Sequence, residues 1–170
     1  IDAAGLRRAY PWDKPYMVYS RATGTLEGWF EGKFRDFDFS GMTTLQATEV
    51  LQLSTSVALA VDGSTEFRAT PGSVRLSGAT GRFGSSNILA DGLIDRRNSL
   101  LQVTMESTDL GDLDFLYEPA NGNGRFEGSI TGPIAAPRAS GEFTIADFQH
   151  EGQTIDRFGG EATLDPGGLQ

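Results

Sequence analysis

The sequence contains no cysteine and only one histidine, His150. The absence of cysteine excludes disulfide bonds, a thiol nucleophile and every cysteine-based zinc or iron–sulfur site. A single histidine excludes a zinc site with two histidine ligands, and any serine–histidine–aspartate triad would have to use it. His150 stands beside Glu151 and Gly152 at the end of an apolar stretch, which indicates an exposed loop. We therefore expect no catalytic activity, no metal and no cofactor.

Positive charge and long apolar runs are also scarce. The chain carries 14 lysines and arginines against 23 acidic residues, a net charge of −9. This balance argues against nucleic acid as a partner, because nucleic acid requires a basic surface. No run approaches the ~20 apolar residues of a membrane-spanning helix, and there is no signal peptide. The chain begins at Ile1 and ends just after a predicted strand, so we expect a fragment of a longer protein.

Glycine is abundant, with 22 residues, and it marks a repeated strand. Within residues 124–132, glycine, phenylalanine and isoleucine alternate with polar residues, which is typical of a half-buried strand. The same glycines and central glutamate recur in residues 24–32. Seven of the 25 positions of residues 24–48 are identical in residues 124–148. We predict that one β-rich unit is used at least twice.

The rest of the chain predicts about a dozen short strands joined by hairpins, and therefore an all-β antiparallel protein. We interpret residues 1–15 as an irregular connector and residues 16–170 as the repetitive β-segment. The Asp62-Gly63 pair predicts a hairpin turn. Gly78 is expected to end a strand, and Thr108–Glu118 to form one short amphipathic helix.

Two acidic groups resemble chemical sites but have better explanations. Asp36 and Asp38 alternate with phenylalanines, which is typical of the solvated side of a half-buried strand rather than of a glycosidase pair. The aspartates within residues 109–114 lack the spacing of a calcium-binding loop.

The repeated apolar strand face has to be covered. A second sheet would give a sandwich core. Alternatively, the sheet curls into a trough whose apolar wall faces a ligand, and glycines on the inner side favour such curvature. The residues alone leave both arrangements open.

The block that begins at Gly124 resembles the recurrent unit of the TamB branch of the AsmA-like proteins. The resemblance covers roughly residues 57–164, and residues 24–41 form a weaker copy in which Phe37 replaces the proline. The residues that carry it are Gly128, Ile130, Gly132, Pro137, Gly141 and Phe143.

The resemblance implies a long twisted antiparallel sheet folded into a taco-like groove with an apolar interior, with one or two short helices. It also implies a periplasmic, non-catalytic segment of an inner-membrane-anchored envelope protein, with the anchor outside this fragment. Such proteins are implicated in carrying phospholipid toward the outer membrane and in working with an outer-membrane barrel protein.

We therefore predict that acyl chains lie against one wall of such a groove. The predicted wall consists of Leu26, Phe30, Val57, Leu59, Val61, Val74, Leu76, Leu101, Val103, Met105, Phe126, Ile130, Phe143 and Ile145. One alternative is an interaction scaffold that assists outer-membrane protein assembly by β-strand augmentation. Another is a β-sandwich that binds carbohydrate through Trp12 and Trp29.

Overall fold

Nearly all of the described residues belong to β-strands. The computed structural model describes residues 17–18, 20–32, 35–47, 58–59, 61–113, 121–133, 136–150, 153–165 and 168–169. The strands are β1 Met17–Val18, β2 Ser20–Glu31, β3 Asp36–Ala47, β4 Ala58–Leu59, β5 Asp62–Thr70, β6 Ser73–Phe83, β7 Ser86–Asp95, β8 Ser99–Ser107, β9 Asn121–Gly132, β10 Arg138–His150, β11 Gln153–Asp165 and β12 Gly168–Leu169. The predicted connector, residues 1–15, lies outside these ranges.

Ten strands form one antiparallel sheet in the order β12-β11-β10-β9-β8-β7-β6-β5-β3-β2. Each strand pairs with its neighbour in the chain, apart from the two-residue β1 and β4, which pair with each other in parallel. Nine of the ten strands are long, and β12 has two residues. Strands β2 and β12 are the two edges, so the sheet is open. The prediction of an all-β antiparallel fold is confirmed.

Apart from the two-residue strands β1 and β4, every described strand belongs to the ten-stranded sheet, and no hydrophobic side chain among the described residues is fully buried. Among the residues that the structure describes, the buried ones are three serines, Ser86, Ser99 and Ser107. Within the described ranges, therefore, no sandwich core covers the apolar strand residues.

The pairing register places most of the apolar strand residues on the same side, with exceptions such as Leu89 and Leu100. Met105 of β8 lies opposite Ile88 of β7 and Phe126 of β9, and Phe126 lies opposite Phe143 of β10. Directly opposite residues in antiparallel strands point to the same side. We call this side the apolar face and the other side the polar face. The apolar face consists of Ala22, Gly24, Leu26, Gly28, Phe30, Phe37, Phe39, Gly41, Thr43, Leu45, Gly63, Thr65, Phe67, Ala69, Val74, Leu76, Ala79, Gly81, Phe83, Ser86, Ile88, Ala90, Gly92, Ile94, Ser99, Leu101, Val103, Met105, Ser107, Gly124, Phe126, Gly128, Ile130, Gly132, Ala139, Gly141, Phe143, Ile145, Phe158, Gly160 and Ala162.

A β-bulge in β6 keeps both halves of that strand in register with the apolar face. The β6–β7 pairing shifts by one residue between Leu76 and Ala79, and the β5–β6 pairing shifts by one residue between Ser77 and Thr80. Gly78 lies in this bulge with a φ of 55°, which favours glycine. Its N–H donates to the Asp91 Oδ1 atom at 2.7 Å. The expectation that Gly78 ends the strand is therefore wrong, because the chain bulges there and continues to Phe83.

Two other local predictions also need correction. Asp62 and Gly63 open β5 instead of forming a hairpin turn, and the Asp62 Oδ1 atom accepts a hydrogen bond from the N–H of Ala47 at 2.8 Å. The predicted helix over residues 108–118 is reduced to a 3₁₀ turn, Leu110–Leu113, in its described part. Residues 114–118 lie outside the described ranges.

The predicted repeat corresponds to two hairpins, β2–β3 and β9–β10. Both place their glycines on the apolar face, but their registers differ by two residues. Leu26 lies opposite Gly41, whereas Phe126, its counterpart in the second copy, lies opposite Phe143. The difference arises from the length of the connection. Four residues, 32–35, separate β2 from β3, whereas residues 132–137 separate Thr131 from Arg138, the last pair of the β9–β10 ladder.

The β9–β10 pair offers a test of how strongly the stability of the sheet depends on its glycines. A Cβ atom on Gly128 would lie 2.2 Å from the carbonyl oxygen of Ser140 and 2.7 Å from the Cα of Gly141. We expect Gly128→Ala to lower the free energy of unfolding in urea by about 2 kcal/mol or more, because backbone has to move. The neighbouring Ser129→Ala on the polar face is the control, with a change within about 0.5 kcal/mol. Equal stability of the two variants would contradict this account.

Candidate functional site: the apolar face

Eleven of the fourteen residues predicted to line a groove lie together on the apolar face. They come from β2, β6, β8, β9 and β10, so the face crosses nearly the whole sheet. These eleven are Leu26, Phe30, Val74, Leu76, Leu101, Val103, Met105, Phe126, Ile130, Phe143 and Ile145. Of the other three, Val57 lies outside the described residues and Leu59 lies in β4, which is not part of the ten-stranded sheet. Val61 precedes β5 and is half-buried.

The structure adds a second set of apolar side chains that the sequence-based site omits. They belong to β3, β5, β7 and β11 and to the end of β6, between or beside the predicted strands. The principal members are Phe37, Phe39, Leu45, Phe67, Phe83, Ile88, Ile94 and Phe158. Their alternation with polar residues is the same signal that identified the other eleven. Strand order was needed to show that all of them share one face.

The apolar face as defined above carries no charge, although Asp156 continues the same side of β11 beyond Phe158. Every apolar-face residue of β3 to β10 is half-buried or buried, whereas most polar-face residues of the same strands are exposed. Edge strand β2 differs, because Leu26 and Phe30 are 61% and 59% exposed. A strand with a neighbour on one side only has fewer side chains to shield it.

Aromatic rings of the apolar face lie over bare glycine positions. The Cζ atom of Phe126 is 2.8 Å from the point that a Cβ atom on Gly128 would occupy. Phe143 contacts Phe158 edge to face, with ring centroids 6.1 Å apart. The Phe143 ring also lies 3.7 Å from the corresponding Cβ position on Gly160. Aromatic side chains thus pack against glycines of the same sheet.

The 3₁₀ turn covers one end of the apolar face. Leu110 lies against Gly124, where a Cβ atom would be 2.9 Å from the leucine Cδ2 atom. Beneath the turn, the hydroxyl of Ser86 donates to the Ser107 Oγ atom at 2.9 Å. The Ser107 hydroxyl in turn donates to the Asp109 carbonyl at 2.7 Å. The two buried hydroxyls therefore satisfy each other and the backbone.

Asp112 holds this turn to the loop between β6 and β7. Its Oδ2 atom accepts a hydrogen bond from the N–H of Ser85 at 2.6 Å. Hydrogen bonds from the Ser85 side chain and backbone lower the pKa of the Asp112 carboxyl, against a smaller opposing effect of burial.

Most charged groups are on the polar face, where several form ion pairs. Arg68 donates to both carboxylate oxygens of Asp38, at 2.9 and 2.5 Å, and this pairing lowers the pKa of Asp38. Arg125 pairs with Glu127 at 3.1 Å and with Glu106. These groups are largely exposed, so each pair contributes little to stability.

The polar face also has a shallow depression of about 230 Å³ across β7, β8 and β9. Leu89, Asp91, Gln102, Thr104 and Glu127 are among the residues that line it. Nowhere in the described part of the chain do three or more metal-ligating side chains form a cluster.

Comparison with protein-family models, curated proteins and solved structures finds no match to this chain. The resemblance to the TamB branch therefore stays a prediction. The described residues also include no helix with the length and apolar composition needed to cross a membrane.

The Asp112 contact predicts a specific dependence of stability on pH. Because folding lowers its pKa, ionised Asp112 stabilises the folded state above the usual carboxyl pKa. That contribution is lost as the pH falls through the lowered value. We expect the difference in unfolding free energy between the wild type and Asp112→Asn to be largest near neutral pH and to shrink below about pH 4. Urea unfolding between pH 2 and pH 7 measures it, with exposed Asp156→Asn as the control for charge. A difference that stays constant over this range would contradict the assignment.

Proposed function

We propose that the apolar face carries lipid acyl chains. The observation that supports this most strongly is an apolar face that crosses nine strands while no hydrophobic side chain is fully buried in the described residues. Burial of apolar surface is worth about 25 cal/mol per Å², so such a face gains free energy from any apolar cover. An acyl chain supplies about 0.8 kcal/mol for each CH₂ group that it buries.

The size of the face suits acyl chains. Nine strands at a spacing of about 4.8 Å span roughly 40 Å across the sheet. Half of a bilayer's hydrocarbon core is about 15 Å thick, so one acyl chain would contact several strands. More than one chain would fit side by side.

We propose further that the apolar face is the concave side of a groove. Its residues are less exposed than those of the polar face, although the described element that contacts it, the 3₁₀ turn, covers only one end. Side chains on the inner side of a curved sheet crowd and shield each other. The shift in β6 at Gly78 and the one in β10 between Ala146 and Gln149 supply β-bulges, which increase twist and bending.

The uniformity of the face favours a passive mechanism. It offers similar apolar contacts along many strands and no charged group that would fix a head group at one place. Bound chains could therefore shift between neighbouring sites without crossing a large barrier, with head groups in water at the open side. The envelope location, the membrane anchor and the barrel partner remain predictions drawn from the resemblance.

A charge placed on the apolar face tests this function. We expect the purified protein to retain phospholipid in native mass spectra, and Val103→Asp to retain at least about tenfold less, because the carboxylate would have to be buried beside acyl chains. Gln102→Asp adds the same charge to the polar face of the same strand and is the matched control. It should bind lipid like the wild type.

The same measurement separates the alternatives. A wild-type protein without lipid, or equal lipid retention by Val103→Asp and Gln102→Asp, would contradict the proposal. A strand-augmentation scaffold would tolerate the charge at Val103, since backbone hydrogen bonds of a sheet edge carry that kind of binding. A carbohydrate-binding module would show no lipid in either form.

A further inference from the structure

The edge strand β2 has the features of a strand that pairs with another chain. It is 12 residues long and pairs with β3 over its whole length on one side. In the described part of the protein, no strand lies on its other side. The short β1, just before it, pairs with β4 instead of running along this edge. Natural edge strands are commonly protected by proline, lysine, bulges or a covering loop, and β2 contains neither proline nor lysine.

Strand β2 is also exceptionally exposed. All of its residues from Thr23 to Glu31 are exposed, including Trp29 at 53%. Three of the seven large hydrophobic side chains that are exposed in the described ranges belong to this one strand: Leu26, Trp29 and Phe30. A row of exposed apolar side chains beside an open backbone edge is suited to strand addition.

The sequence of β2 is complementary to itself. Consider two copies related by a twofold axis perpendicular to the sheet, so that the two β2 strands run antiparallel with Leu26 at the axis. Arg21 of each copy then lies opposite Glu31 of the other. On the apolar side, Ala22 lies opposite Phe30, which places a small residue against a large one.

Charge selects this register over its neighbours. A shift of two residues in one direction places Glu27 opposite its own copy, and like charges directly opposite are unfavourable. A shift of two residues in the other direction places Arg21 opposite Trp29 and leaves Glu31 without a charged counterpart on the second strand. With Leu26 at the axis, Glu27 faces Thr25 and both Arg21–Glu31 pairs form.

We infer that β2 is an isologous dimer interface through which two copies of this chain join edge to edge. An axis perpendicular to the sheet keeps both apolar faces on the same side, so the dimer extends the apolar face across two subunits. This inference rests on the pairing edge and its charges. It does not depend on whether the apolar face carries lipid.

Charge reversal tests the inference through rescue. Arg21→Glu alone places two Glu–Glu pairs in the dimer, and Glu31→Arg alone places two Arg–Arg pairs. We expect each variant to raise the dimer dissociation constant by about tenfold or more in sedimentation equilibrium. Mixing the two variants restores both opposite-charge pairs, so the mixture should dimerise like the wild type. Exposed Glu142→Arg in β10 changes the same charge away from this edge and should dimerise normally.

A single introduced cysteine tests the register directly, since the chain has no other. Leu26→Cys places two thiols opposite each other at the axis, at a separation compatible with a disulfide. Mild oxidation should give a covalent dimer. Leu100→Cys, which is similarly exposed on the polar face of β8, is the control and should stay monomeric on denaturing gels.

Three results would overturn the inference. One is a wild-type protein that stays monomeric at about 100 μM, because a specific dimer should have a dissociation constant below that concentration. Another is a dimer that neither charge variant weakens. The third is oxidation that cross-links Leu100→Cys as readily as Leu26→Cys. Circular dichroism of every variant, with the wild-type β-signal retained, shows that a loss of dimer is not a loss of fold.

Discussion

The backbone hydrogen-bond ladder between neighbouring strands is the interaction on which the rest of this structure depends. In most domains a packed core supplies the main stabilisation, but the described residues contain no fully buried hydrophobic side chain. Order therefore comes from long antiparallel pairings, nearly all between strands adjacent in the chain. The ladder also fixes side-chain direction, and through it most of the apolar strand residues reach the same face. A single layer with one apolar face and one charged face follows from this register.

On the apolar face, large aromatic side chains alternate with glycines of neighbouring positions, so the sheet itself shields part of the aromatic surface. Rings such as that of Phe126 lie against glycine positions such as Gly128, so part of their surface is shielded by their own sheet. The buried serines, Ser86 and Ser107, close one end of the face with hydrogen bonds instead of apolar bulk. What remains open is broad, uncharged and half-buried. These properties are suited to flexible apolar ligands, which need no fixed polar contact.

Much of the fold could be predicted from the sequence because the period-two alternation is a local signal. It correctly identified the all-β class and placed Val103, Met105 and Phe126 on one side of their strands. It failed where an extra residue breaks the period, as at Gly78, since a bulge glycine and a turn glycine look alike in sequence. It also could not show that β3, β5 and β7 contribute to the same face. That depends on strand order and register, which are set by pairing between segments.

The central claim is that the apolar face contacts lipid and the polar face does not. A photoreactive side chain placed in turn at positions 100 to 105 of β8 tests it most directly, because successive residues point to opposite faces. Crosslinks to co-purified phospholipid should alternate along the strand, strong at Leu101, Val103 and Met105 and weak at the positions between them. Crosslinking with no such alternation, or stronger at Leu100, Gln102 and Thr104, would contradict the account.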